Sequence, residues 1–225
     1  NSLNNYVAIE NKATLLSAVE LSTEFIAYSE KMFEDIETII AIRKQLTTSS
    51  EATLAVADEA SALMADLSYL EGNEANLEPL IGMGNNIDNK LTLILGFIQE
   101  LARATERDHI QQTIDDMQYN ITNIEADASY LNRLAETVDN DGLVDGFNQQ
   151  FMKLKAILSS DNGIYALQMK RLSLIEAINQ SYQDANIALN KTNEILAALT
   201  ESVNAATLQG QEDILAGVTF EISLK

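Results

Sequence analysis

Apolar positions recur at helical spacing along nearly the whole chain. The first run carries Leu16, Val19, Ile26, Phe33, Ile36 and Ile40, with Ile39 and Leu46 flanking, and no Gly or Pro interrupts the first 47 residues. This predicts one helix of about 70 Å at 1.5 Å per residue. Thr47-Thr48-Ser49-Ser50 is expected to end it. Thr48 and Glu51 have the spacing of a capping box, in which the hydroxyl accepts from a free helix amide and the carboxylate reaches back. A second helix is predicted on Val56, Ala60, Leu63, Leu67 and Leu70.

Breakers follow. Glu71-Gly72-Asn73 opens a gap that Pro79, Gly82, Gly84 and Asn85-Asn86 prolong. The pattern resumes on Ile87, Leu91, Ile94, Ile98 and Leu101, stops near Thr105–Asp108, and restarts where Asp108 and Gln111 suggest a second capping box. Ile110, Ile114, Met117, Ile121, Ile124, Ala128, Leu131, Leu134 and Val138 form the cleanest seam. A second breaker cluster runs from Asp139-Asn140-Asp141-Gly142 to Asp145-Gly146. A short helix on Phe147, Phe151, Leu154 and Leu158 leads to Ser159-Ser160-Asp161-Asn162-Gly163. The last helix is expected from Ile164 to Gly210 on Leu167, Leu174, Ile178, Ala185, Ala188, Ile195 and Leu199, while residues 218–225 alternate only weakly and predict no element.

Turns near residues 48, 107 and 161 would cut the chain into four legs, the outer two unbroken and the inner two broken at 72–86 and 139–146. The expected fold is all-α: an elongated rod of about 70–80 Å, made of two stacked four-helix bundles. The legs run up-down-up-down and the outer helices are continuous through both bundles. One bundle takes approximately residues 27–72 and 145–185. The other takes approximately 1–26, 85–138 and 186–210, with both chain ends at its pole. A rod with both ends at one pole suits insertion between two transmembrane helices.

Composition narrows the function. With 34 Asp+Glu against 14 Lys+Arg, the net charge is -20, which opposes nucleic acid and anionic lipid surfaces. No Cys and a single His leave no basis for a zinc or iron–sulfur site, a cysteine nucleophile or a disulfide framework. One Pro and 46% hydrophobic residues fit long packed helices rather than disorder. The longest apolar run, Leu91 to Ile98, is short of the roughly 20 residues needed to span a bilayer. The chain opens at Asn1-Ser-Leu-Asn without a Met, which reads as a segment of a longer protein. The lack of Cys fits a periplasmic or extracellular location. No triad, nucleophile elbow or paired-carboxylate pocket is legible, so no enzymatic activity is expected of this segment, and no cofactor.

The unbroken outer legs, the mid-leg breaks at Gly72–Asn86 and Asp139–Gly146 and the turns at Thr47–Ser50 and Ser159–Gly163 give residues 1–208 a resemblance. The chain resembles the helical bimodular sensor domains of bacterial transmembrane receptors, found in chemoreceptors for organic acids, and is similar to TorS-type histidine kinase sensors. The resemblance implies a periplasmic input module of an inner-membrane receptor in a chemotaxis or two-component system, flanked by transmembrane helices and dimeric. Its partner would be a small solute or a ligand-loaded periplasmic binding protein. The bundle at 27–72 and 145–185 would then be membrane-distal and the other membrane-proximal.

Two arginines interrupt seams where a hydrophobe is expected: Arg43 after Ile36 and Ile40, and Arg171 between Leu167 and Leu174. With Lys44, Lys153, Lys155 and Lys170 they gather toward the membrane-distal pole. Guanidinium groups bind carboxylates bidentately and need a partner when buried. Arg43 and Arg171 are therefore candidates to clamp an organic anion, with Lys44, Lys170, Tyr165 and Gln168 as helpers. Alternatively each pairs with a core carboxylate or snorkels to solvent. Arg103, Arg107 and His109 are placed at the opposite pole, facing the membrane or opposing a helix dipole. Asp139-Asn140-Asp141-Gly142 begins like a calcium loop, but Leu143 stands where an oxygen ligand is needed. Gly82-Met83-Gly84 lacks the strand and Lys-Ser/Thr of a phosphate loop. The competing class is a structural rod without a ligand.

Overall fold

The computed structural model describes residues 2–138 and 140–223, with side chains for 11–138 and 140–218. The fold is all-α. Helix α1 spans Ser2–Asp66, followed by a 3₁₀ turn at Leu67–Tyr69. Then come α2 (Leu77–Arg103), α3 (Arg107–Ala135), α4 (Leu143–Ser159) and α5 (Ile164–Ser223). The described residues contain no strand.

The expected turn at Thr47–Ser50 does not form, and α1 runs through it. The hydroxyls of Thr47, Thr48 and Thr53 donate to the carbonyls of Arg43 (3.1 Å), Lys44 (3.3 Å) and Ser49 (2.6 Å), four residues back. That pattern satisfies the side chains inside a helix, so no capping box is made. Ser50 and Thr53 are buried, so the packed face of α1 continues through the polar run while Thr47 and Thr48 stay exposed. A single seam at three- and four-residue spacing crosses the region: Ile39, Ile42, Leu46, Ser50, Thr53, Ala57, Ala60 and Met64 are buried or half-buried.

The packed seam of α1 also lies one residue before the predicted one. Val19, Ile26, Phe33, Ile36 and Ile40 are exposed, Phe33 to 70%. Thr14, Ala18, Leu21, Phe25, Tyr28, Met32 and Asp35 are the buried or half-buried positions instead. By the same slip Arg43 is exposed while Ile42 beside it is 2% exposed.

The gap expected at 72–86 is shorter, and α2 starts at Leu77. Pro79 falls in its first turn, where its missing N–H costs nothing. The next reversal lies at 136–142 rather than 139–146, because the left-handed pair Asp141 (φ 52°) and Gly142 (φ 75°) turns the chain directly into α4. Between α2 and α3, Glu106 is the N-cap in place of Asp108. Gln111 donates to Asp115 (2.8 Å) rather than capping. Gly210 and Gly217 do not stop α5. Residues 224–225 of the unassigned tail, and Asp139 of the calcium-like run, lie outside the described residues.

The chain divides into two compact units. Residues 37–175 form one and residues 1–36 with 176–225 form the other. Residues 85–138, expected beside 1–26 and 186–210, fall in the first of these. That unit is a helical bundle with antiparallel neighbours. Ser61 bonds Asp88 between α1 and α2. Asn76 donates to Thr137 (2.6 Å) and Asn86 to Asp127 (2.9 Å) between α2 and α3. Asn148 donates to Asn132 (2.8 Å), and Lys155 pairs with Glu125, between α3 and α4. One core of Ile42, Met64, Leu80, Ile94, Met117 and Phe147, with their buried neighbours, joins all of these helices and the start of α5.

The other unit is an antiparallel pair made by the first part of α1 and the later part of α5. Ser202 donates to Asn11 (3.1 Å), and Leu21, Glu24 and Tyr28 face Asp184, Ala188 and Lys191. Its inner seam on α5 is again heptadic and rich in small or polar residues: Ile178, Ser181, Ala185, Ala188, Thr192, Ile195, Leu199 and Ser202.

Candidate functional site

Because α1 does not turn at residue 48, α2 returns beside it from the turn near residue 70. The C-terminal end of α2 then arrives next to Arg43–Glu51. Helix α2 ends at Arg103, and Ala104 takes an extended conformation (ψ 142°) before α3 begins. A helix C-terminus leaves carbonyls without intrahelical partners. Two residues of α5 satisfy them. Buried Gln168 donates through Nε2 to the carbonyl of Leu101 and faces that of Ala104 at 3.5 Å. Arg171 donates through Nη1 to Ala104 O at 3.2 Å and to Gln168 Oε1 at 3.1 Å. The negative end of the α2 dipole favours a cation at this place.

The ends of these elements enclose a cavity of about 520 Å³. Helix α1 contributes Arg43, Leu46, Thr47, Ser50 and Glu51, whose spacing puts them on one helix face. Helix α2 and the break after it contribute Ala102, Arg103 and Thr105, and α5 contributes Arg171. Three guanidinium groups therefore line one cavity with a single carboxylate, in a chain of net charge -20. Among the described residues none of the three is in an ion pair. Arg43 and Arg103 are exposed, Arg171 is half-buried, and the Nε of Arg171 is buried without a partner.

The structure thus brings Arg43 and Arg171 together. It adds Arg103, which the sequence placed at the opposite pole only because α1 was expected to turn at residue 48. The helical spacing of α1 that continues across residues 39–64 was the signal that could have located it. Gln168 holds Arg171 from outside the cavity lining. Lys44 and Lys170 are exposed and do not line the cavity.

Tyr165 lines a different cavity, of about 330 Å³, with Gln118, Thr122, Glu125, Lys155 and Ser159 on its polar side. Its hydroxyl is buried without a partner, and desolvation raises the phenol above the ordinary tyrosine range. His109 lies with Arg103 on a third cavity of about 580 Å³, with its Nε2 3.0 Å from Glu100 Oε1. Arg103 and Thr105 belong to both this cavity and the arginine-lined one.

Comparison of the chain with family models, with curated protein sequences and with solved structures finds no match. Among the described residues no helix is long and apolar enough to cross a membrane, and no group of three or more His, Asp or Glu residues is placed to hold a metal ion.

Proposed function

We propose that this chain is the extracytoplasmic input domain of a transmembrane signalling receptor, and that it takes a small organic anion between Arg43, Arg103 and Arg171. The observation that carries the reading is the meeting of three guanidinium groups from three helices on one cavity of about 520 Å³. Planar guanidiniums recognise carboxylates through paired N–H groups. Gln168 and the Ala104 carbonyl fix Arg171 before any ligand arrives, which reduces the ordering cost of binding.

A ligand held by Arg43 on α1 and Arg171 on α5 would couple the two long helices, each of which extends into the other unit. A displacement of about 1–2 Å along or between such helices is the scale used in receptor switching. The expected stacking of two four-helix bundles, the periplasmic location, the flanking transmembrane helices and an output through a histidine kinase or a chemotaxis module all belong to this proposal. No catalytic role is assigned to this segment.

The test is a thermal-shift and calorimetric screen against mono- and dicarboxylates, amino acids, inorganic anions and amine oxides. A ligand at 100 times its dissociation constant adds about 2.7 kcal/mol of stability. The reading expects a carboxylate hit that is lost separately in Arg43→Ala, Arg103→Ala and Arg171→Ala. A hit that survives all three moves the site elsewhere. The absence of any hit replaces the small-anion reading by a docked binding protein or a rod without a ligand.

A further inference from the structure

The helix pair formed by residues 1–36 and 176–225 carries a second apolar seam that its own packing does not use. On α1 this seam is Leu15, Val19, Ile26, Phe33 and Ile36, exposed by 42 to 70%. On α5 it is Tyr182, Leu189, Leu196 and Val203, spaced by seven residues and also exposed. Each lies one residue after the inner seam of its helix, a rotation of about 100°. The two helices are antiparallel, so equal rotations carry both outer seams to the same side of the pair. The remaining positions of the two stripes are Ser22, Ser29, Asn179, Asn186, Asn193 and Thr200, so neither stripe holds a charge between its terminal hydrophobes.

A two-helix pair needs one apolar stripe on each helix. A helix with two stripes is built for two neighbours, as in a four-helix bundle. We infer that a second copy of this chain packs its own pair against this face, giving a four-helix assembly of two α1 and two α5 segments. This inference is independent of the anion-site reading. A second copy supplies two helices with the same uncharged stripes in the same register, so no charged group has to be desolvated. At roughly 90 Å² exposed per side chain, the nine residues offer about 800 Å² on one pair, the area each partner contributes to a stable interface. The Asn179, Asn186 and Asn193 row repeats every seven residues and would fix the register, since misaligned asparagines would face hydrophobes.

Glu30 and Glu37 flank the α1 stripe, and each copy of the chain carries a net charge of -20. Two copies therefore repel until salt screens them, with a Debye length of about 8 Å at physiological ionic strength. The self-assembly should tighten with salt, whereas a basic partner on the same face would bind more weakly.

The experiment is sedimentation of the full chain across micromolar concentrations at low and high salt. The expected result is a monomer–dimer equilibrium that tightens at high salt and is weakened at least about tenfold by Ile26→Glu or Leu196→Glu. Because such variants could unfold the pair, a second readout uses the absence of native Cys. The thiol of Leu196→Cys should lose maleimide reactivity as the dimer forms, while that of Glu194→Cys, on the opposite side of α5, stays reactive. A monomer throughout, a dimer that loosens with salt, or equal reactivity of the two thiols in the dimer would each overturn the inference.

Discussion

Helix α2 contains three glycines that separate intrinsic helix propensity from tertiary contact. Gly82 and Gly96 are exposed, and a Cβ at either meets nothing within 4 Å. Gly84 is buried, and its Cβ would stand 2.7 Å from Leu67 Cδ1 and 3.1 Å from the Met64 carbonyl oxygen. Leu67 and Met64 are themselves fully buried, so the leucine has little room to turn away and the second contact is with backbone. Replacing an interior helix glycine by alanine gains about 1 kcal/mol of propensity at each of the three sites. Overpacking a closed contact costs about 1–3 kcal/mol. Gly82→Ala and Gly96→Ala should each stabilise the bundle by up to about 1 kcal/mol. Gly84→Ala should range from neutral to destabilising by about 2 kcal/mol. Urea denaturation of the three variants measures this, since the midpoint scales with stability at constant slope. A Gly84→Ala variant as stable as Gly96→Ala would refute the close approach of α2 to the end of α1, and with it the path that brings Arg103 to Arg43.

Thr48→Pro tests the continuity of α1. It removes an interior amide donor and should cost about 3 kcal/mol or more, whereas a turn at Thr47–Ser50 would tolerate it, and the thermal midpoint decides. Phe147 is fully buried and stacks on Phe151 at 5.6 Å between ring centroids, so Phe147→Ala should lose about 3–5 kcal/mol in a denaturant titration. Tyr165 keeps its proton in the folded protein above the pH near 10 at which an unfolded tyrosine releases it. Its contribution is therefore complete below about pH 10 and falls as pH rises further. Tyrosinate absorbance should show a late step that coincides with loss of helix and vanishes in Tyr165→Phe. Gln168→Ala strips the donors from the Leu101 and Ala104 carbonyls and should destabilise the bundle by about 1–3 kcal/mol. It should also weaken anion binding at the arginine cavity, read by calorimetry.

The legible part of the site was chemical. Arg43 and Arg171 stood out as cations interrupting apolar seams, and both line the cavity. The seam of α1 nevertheless slipped by one residue, because its N-terminal part carries two adjacent apolar stripes with the same spacing. The stronger hydrophobes, Val19, Ile26 and Phe33, are on the exposed one. Spacing alone does not distinguish them, since both satisfy the same heptad. Thr47–Ser50 misled for a related reason. Hydroxyl side chains satisfy a helix carbonyl four residues back as readily as a free amide at a helix start, and local sequence contains both outcomes. That one reversal separated Arg103 from Arg43, and no local signal placed Tyr165 on a different cavity from Arg171.

Local sequence was enough to set the all-α class and the helix boundaries near Arg103, Arg107, Ser159 and Ile164. Asn140 and Gly142 after α3, and Asn162-Gly163 after α4, close those helices through backbone terms that act within a few residues, and the apolar period sets the class of fold. Long-range packing selects which stripe of α1 is covered and whether the chain turns at Thr47–Ser50 or continues as helix. It also decided which arginines share a cavity. Those outcomes depend on contacts between residues far apart in the chain, as between Arg43, Arg103 and Arg171. Helix α1 stays whole because Leu46, Ser50 and Thr53 are buried against the bundle on one continuous face, an interaction absent from any window of local sequence.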